Sequence, residues 1–97
     1  MDQRDYLIIL YDFYSELLTL KQREYFEDYY FNNLSLSEIS ENMTISRNAV
    51  HKSLKVVTDK LLEYEDKLKL YHKSLILKDI ADTIDNQEIK EKLMNLY

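Results

Sequence analysis

The sequence predicts an all-α protein, and three features carry that prediction. The chain contains no Gly and no Pro, so it lacks the usual supplier of positive φ at hairpin turns. Helices, by contrast, can start on Ser, Thr or Asp and end on Asn. Apolar residues recur at three- and four-residue spacing along most of the chain, the period of a helix face. Finally, Thr19 with Gln22, Ser35 with Glu38 and Asp85 with Glu88 each fit the reciprocal capping pattern that opens a helix.

The elements follow in order. The first helix is expected over about Gln3 to Leu18, with Tyr6, Leu7, Leu10, Tyr11, Phe13, Tyr14, Leu17 and Leu18 forming a wide apolar stripe. Asp2 and Asp5 suit its positive N-terminal end. Thr19 caps the second helix, which runs from Leu20 to Phe31 through Leu20, Tyr25, Phe26, Tyr29 and Tyr30 and closes on Asn32-Asn33. A third helix, about Leu36 to Asn42, turns Leu36 and Ile39 inward and is joined by Met43. A helix this short exists only by packing on its neighbours. The fourth begins near Ser46 and is expected to reach His72, about 40 Å at ~1.5 Å per residue. Its apolar positions Val50, Leu54, Val57, Leu61, Tyr64, Leu68 and Tyr71 step by alternating fours and threes, an unbroken heptad. Ser74 starts a fifth helix through Leu75, Leu77, Ile80, Ala81 and Ile84. Asp85 caps a sixth through Ile89, Leu93, Leu96 and Tyr97. No repeat, low-complexity tract or Gly/Pro linker divides the chain. It is expected to form one helical domain over 1–97, with a core over about 18–62 and a helical extension over about 63–97.

Composition narrows the function. With no Cys, disulfides, thiolate catalysis and cysteine metal sites are excluded, in keeping with a cytoplasmic protein. Met1-Asp2-Gln3-Arg4-Asp5 is not the basic start of a signal peptide, and the apolar run after it is too short to span a membrane. Net charge is −5, which opposes a polyanionic partner, but the charge is unevenly placed. Residues 1–42 carry 3 basic and 9 acidic side chains. Residues 43–62 carry Arg47, Lys52, Lys55 and Lys60 against Asp59 alone, and residues 63–97 carry 6 basic and 8 acidic. The only net-positive segment is the start of the fourth helix.

Catalysis has little to work with. His51 and His72 lie 21 residues apart, roughly 30 Å along one helix, too far to share a metal or act as a pair. His51 reads as a surface group and His72 as a helix C-terminal group. Asp79, Asp82 and Asp85 repeat every three residues but lack a loop that would close oxygen ligands around a cation, so they read as a solvated face and a cap. The clusters Tyr11-Phe13-Tyr14 and Tyr25-Phe26-Tyr29-Tyr30-Phe31 could stack on bases. They sit in the most acidic third of the chain at core spacing, and core packing is the better reading. No enzyme, cofactor or metal site is read.

The stretch Ser35 to Leu62 places two helices on either side of Asn42-Met43-Thr44-Ile45, the spacing of a unit that lays its second helix in the major groove. Such a helix needs small polar and basic residues on the exposed side of its first turns. Ser46, Arg47 and Asn48 open it, and His51, Lys52 and Lys55 follow on the side away from Val50, Leu54 and Val57. Arg can bond guanine at two points and Asn can do so with adenine, while Lys and Ser suit phosphates. An ordinary solvated helix face would look similar.

From Leu18 to Leu62 the chain resembles the region-4 helix-turn-helix of bacterial sigma factors, through Gln22-Arg23-Glu24, the Leu-Ser-x-x-Glu-Ile run at 34–39 with its neighbours, and Ile45-Ser46-Arg47-x-x-Val50. With its flanking helices, from about Leu10 to Leu70, it is similar to the YlxM family of small bacterial proteins. The resemblance implies an all-α bundle with a sigma-region-4-like helix-turn-helix (winged-helix-like, without the wing), to which the spacing read above adds a long fourth helix and two short C-terminal helices. It further implies a DNA-binding regulatory role, and a gene usually neighbouring those of the signal recognition particle pathway. Ser46, Arg47, Asn48, His51, Lys52 and Lys55 carry over as nucleic-acid-facing positions, and Ile39, Met43, Ile45, Val50 and Leu54 as the motif's core. Thr44 stands where many such turns hold Gly and is expected to need a strained or reshaped turn; Ser40 stands where Ala is usual. The alternative function is a protein- or RNA-interaction module of the same pathway that does not bind DNA. The heptad also needs a cover, supplied either by the C-terminal helices folding back or by a second chain, which would make a homodimer through the fourth helix.

Overall fold

The computed structural model describes residues 1–97. It is all-helical: α1 (Gln3–Tyr14), α2 (Leu20–Tyr30), α3 (Leu36–Met43), α4 (Arg47–Leu68), α5 (Leu70–Ala81) and α6 (Gln87–Met94), with a 3-10 turn over Ser15–Leu17. The shape is elongated, 55 × 24 × 24 Å.

Local chemistry explains the boundaries. Asp2 caps α1 by accepting from the Asp5 amide at 2.8 Å. The helix stops at Tyr14, short of the expected Leu18, because the Ser15 carbonyl is drawn into other bonds. It accepts from the Leu18 amide at 3.0 Å and from Arg23 Nε at 2.8 Å. Two of the three expected capping boxes, at 19–22 and 35–38, are formed in full, satisfying amides that a helix start leaves unpaired. α2 closes on Asn33 in the left-handed region, φ 55°. Arg4 reaches across from α1 to this end, donating to the Tyr30 carbonyl at 2.7 Å and to Asn33 Oδ1 at 3.1 Å. α3 ends on Thr44, also left-handed at φ 56°, ψ 43°. That is the strained turn expected of a β-branched residue at a position Gly would occupy without cost. Ser40 compensates: its hydroxyl donates to the Ile45 carbonyl at 2.5 Å, and its carbonyl accepts from the Ile45 amide at 3.2 Å.

α4 is the spine of two adjoining cores. Its first half places Val50 and Leu54 against Tyr25 and Ile39, with Leu36, Met43 and Ile45 packed around them. Its second half places Val57 and Leu61 with Leu7, Leu10, Tyr11, Tyr14, Leu18 and Phe26. The aromatic clusters therefore serve mainly as core, as their spacing suggested, although Phe31 is left exposed. Phe26 stacks on Tyr11 at 4.3 Å and on Tyr30 at 4.4 Å, and the Tyr11 hydroxyl reaches out to Glu27 at 2.9 Å. Leu17 and Leu20, expected on the apolar stripes, are exposed instead, because they sit at the 3-10 turn and at the first position of α2.

The largest departure from expectation is the fourth helix. It ends at Leu68, not His72, and α5 starts at Leu70, not Ser74. Lys69 breaks the helix in the left-handed region at φ 57°. Glu65, buried at 8% exposure, makes the break favourable. Its Oε1 accepts from the Tyr14 hydroxyl at 2.6 Å and the Tyr71 amide at 3.0 Å, and its Oε2 accepts from the His72 amide at 3.0 Å. Tyr14 Oη in turn accepts from the Leu70 amide at 3.0 Å. Three amides of α5's first turn are thus capped by side chains from α4 and α1, with a carboxylate at the positive end of the helix dipole. The heptad stops with the helix: Tyr71 packs on Tyr6 and Phe13, while Leu68 is exposed. The buried part of the stripe, Val50 to Leu61, is covered by α1, α2 and α3 of the same chain, with Leu70 and Tyr71 at the start of α5 packed against its far end. α6 is capped by Asn86, one residue after the expected Asp85, through the Ile89 amide at 3.2 Å. Of the expected apolar positions on α5 and α6, Leu75, Ile80, Ile89, Leu96 and Tyr97 are exposed.

Candidate nucleic-acid interface

The turn between α3 and α4 decides how α4 leaves the bundle. Once Thr44 has reversed the chain, Ile45 tucks under the smaller core. Ser46 then caps α4, its hydroxyl oxygen accepting from the Ala49 amide at 3.1 Å. The Ser46 side chain is therefore engaged in holding the helix start and is exposed at its edge. Val50 and Leu54 anchor one side of the helix, which leaves the other side to solvent.

All six residues expected at the interface are exposed on that side of the first turns. From Arg47 to Lys55 they extend along about 12 Å of helix, at ~1.5 Å per residue. The side chains of Arg47, Asn48, His51 and Lys52 make no hydrogen bond or ion pair within the chain, so their donors are free for a partner. Lys55 pairs with Asp59 at 3.2 Å, both side chains being more than half exposed. Such a pair holds by about 0–1 kcal/mol and leaves the ammonium available to a phosphate.

The six do not form one uniform surface. His51 and Lys55 line a groove of about 240 Å³ with Tyr29, Tyr30, Leu36, Leu54 and Thr58, between α4 and the helices before it. Sequence reasoning did not anticipate this groove, because it depends on how α2 and α3 cross α4. Lys60, the fourth basic residue of the segment, is half-buried. Val56 stands 48% exposed on α4, an apolar side chain that the heptad did not flag.

The other candidate groups lie elsewhere. His51 is on α4 and His72 on α5, past the break. Asp79, Asp82 and Asp85 are exposed on α5 and the turn after it, and Asp82 faces Lys90 at 3.8 Å. No helix is long and apolar enough to cross a membrane.

Comparison with known proteins also points to a helix-turn-helix. Residues 1–96 match the UPF0122 family, described as "Putative helix-turn-helix protein, YlxM / p13 like". A UPF0122 protein of Ureaplasma parvum serovar 3 is 44% identical over 95 residues, 98% of this chain and 96% of its own. One from Halalkalibacterium halodurans is 44% identical over 91 residues, 90% of this chain and 84% of its own. One from Caldanaerobacter subterraneus subsp. tengcongensis is 54% identical over 68 residues, 70% of this chain and 58% of its own.

Proposed function

Since this chain belongs to the UPF0122 family of YlxM-like helix-turn-helix proteins, we propose that it is a DNA-binding regulator that reads duplex DNA with α4. The observation that carries the reading is the coincidence of three properties on one helix face. α4 follows the tight Thr44 turn, it carries the chain's only net-positive segment, and Arg47, Asn48, His51 and Lys52 present unpaired donors there. Arg47 and Asn48, in the first turn, are assigned to base edges, Arg47 suited to guanine and Asn48 to adenine. Lys52 and Lys55 are assigned to phosphates, with Ser46 and His51 beside them. The role is one of binding, not catalysis, carried out in the cytoplasm by a sigma-region-4-like unit.

The test is a salt series of DNA binding. Reversing charge at both Lys52→Glu and Lys55→Glu should abolish binding and, where residual binding is measurable, flatten its dependence on salt, because fewer counterions are released. Both side chains are exposed, so helicity should be unchanged. Undiminished affinity of the double variant would sink the assignment.

The acidity of the rest of the chain favours a second reading. Nine carboxylates against three basic residues in positions 1–42 would repel DNA brought close to α1–α3. In that reading the protein is an interaction module of the signal recognition particle pathway, engaging its protein or RNA, and the helix-turn-helix is inherited architecture. Retention of the particle's components in a pull-down, with no DNA shift at moderate salt, would select it.

A further inference from the structure

Helices α5 and α6 are built differently from the rest of the chain. Only Ala81 among residues 70–97 is buried. α6 has eight residues and no buried one, and a helix that short is unstable in water without a surface to pack on. Meanwhile Ile76, Leu77, Ile80, Leu96 and Tyr97, with the stem of Lys73, line an apolar groove of about 240 Å³. Ile76, Ile80, Leu96 and Tyr97 are 48–66% exposed, and Ile89 on α6 is 48% exposed.

From this we infer that the α5–α6 face is the seat of a second copy of this chain. Two arguments commit the occupant. The first is area. The exposed halves of five large side chains, at roughly 100 Å² for each half, amount to about 500 Å² per chain. A symmetric pair then buries about 1,000 Å² before lysine stems are counted, the size at which a specific interface begins. The second is charge. Residues 70–97 carry four lysines and five carboxylates, interleaved, whereas residues 1–42 are strongly acidic and residues 43–62 are basic. A two-fold contact brings a patch against itself, so only the near-neutral, mixed-sign segment can meet its own copy without repulsion. A strongly charged partner would find a better surface elsewhere on the molecule. The heptad of α4 from Val50 to Leu61 is already buried in its own chain, so that stretch is not the dimer seam.

The experiment is sedimentation equilibrium of the full chain at micromolar concentration. The expected mass is twice 11.8 kDa. Ile76→Glu with Ile80→Glu should return it to one chain, a loss of at least about 100-fold in association, because each carboxylate would have to be buried. Val56→Glu, on the exposed side of α4, should leave the dimer intact. The chain has no Cys, so single-cysteine variants give a readout that does not depend on α6 staying folded in the charged variant. Ile80→Cys should cross-link between chains with a short bismaleimide, and Leu68→Cys should not. A wild-type mass of 11.8 kDa, a dimer that survives the double charge substitution, or cross-linking through Leu68→Cys in preference to Ile80→Cys would each overturn the assignment.

Discussion

The first four helices and the last two use the same kinds of residue to different ends. α1–α4 bury their apolar side chains in two cores joined by α4, and every buried residue except Ala81 precedes α5. α5 and α6 are just as rich in Leu and Ile yet leave most of them exposed, and one cluster around Glu65 ties this arm to the bundle. The contrast shows that a helix-turn-helix needs a core on only one side of its second helix. The opposite side can then stay polar and unpaired. The C-terminal arm has no such internal partner, so its fold depends on one end contact and on what covers its apolar face.

The largest test of this contrast is a cavity in the core. Phe26 is fully buried between Tyr11 and Tyr30, and Phe26→Ala should cost about 3–5 kcal/mol. Leu75→Ala, at 45% exposure, should stay within about 0.5 kcal/mol. Urea titration of both variants measures the difference, and similar costs would break the contrast.

Next comes the joint itself. Glu65→Gln keeps the shape but loses the charge and replaces one acceptor by a donor facing the Tyr71 or His72 amide. It should cost about 1–3 kcal/mol. The effect should be local: amide exchange at Leu70, Tyr71 and His72 should speed up, while Ile39 and Val50 keep their protection. Equal acceleration at Ile39 would mean that the arm and the bundle open as one unit.

Alkaline pH probes the same joint more gently. Burial first, and the bond to the Glu65 carboxylate second, push the Tyr14 phenol from 10.0 up to about 12. The fold holds Tyr14 in its protonated form more strongly than the unfolded chain does. Its contribution is therefore complete below pH 10 and is lost as pH rises from 10 to 12. Burial and Glu27 raise Tyr11 as well. Phenolate absorbance from Tyr11 and Tyr14 should therefore appear late and together with loss of helicity. Full tyrosine titration near pH 10 with helicity intact would contradict the assigned burial.

The smallest effect lies at the turn. Thr44 occupies the left-handed region, which costs a residue bearing a Cβ about 1–2 kcal/mol. Thr44→Gly relieves that strain but adds freedom to the unfolded chain, for a net gain of about 0.5–1 kcal/mol. An unchanged or lower melting temperature would show that the Thr44 side chain contributes something the turn geometry does not reveal.

Much of the fold was legible in the residues. Thr19-Gln22 and Ser35-Glu38 form the capping boxes their spacing announces, because a cap is local and needs only the next three residues. Val50, Leu54, Val57 and Leu61 face inward as their period requires. The six polar and basic positions at the start of α4 emerge exposed for the same reason, since a helix with one buried stripe must turn its remainder to solvent. The groove that His51 and Lys55 share with Tyr29 and Tyr30 was not legible, because it is made where separate helices meet.

The sequence by itself determined the all-α class, the starts of α1 to α4 and the exposed polar face of α4, each of which follows from neighbours within about one turn of helix. It also flagged the Thr44 strain, but not the Ser40 hydroxyl that offsets it. Only tertiary structure decided where the long helix ends. Nothing local forbids a helix through Lys69, which lacks Gly and Pro on both sides, and the heptad continues past it. The break depends on Tyr14, 51 residues away from Glu65, supplying a hydroxyl to a buried carboxylate that then caps the next helix. An interaction between residues so far apart leaves no period in the chain, and packing alone brings the two together.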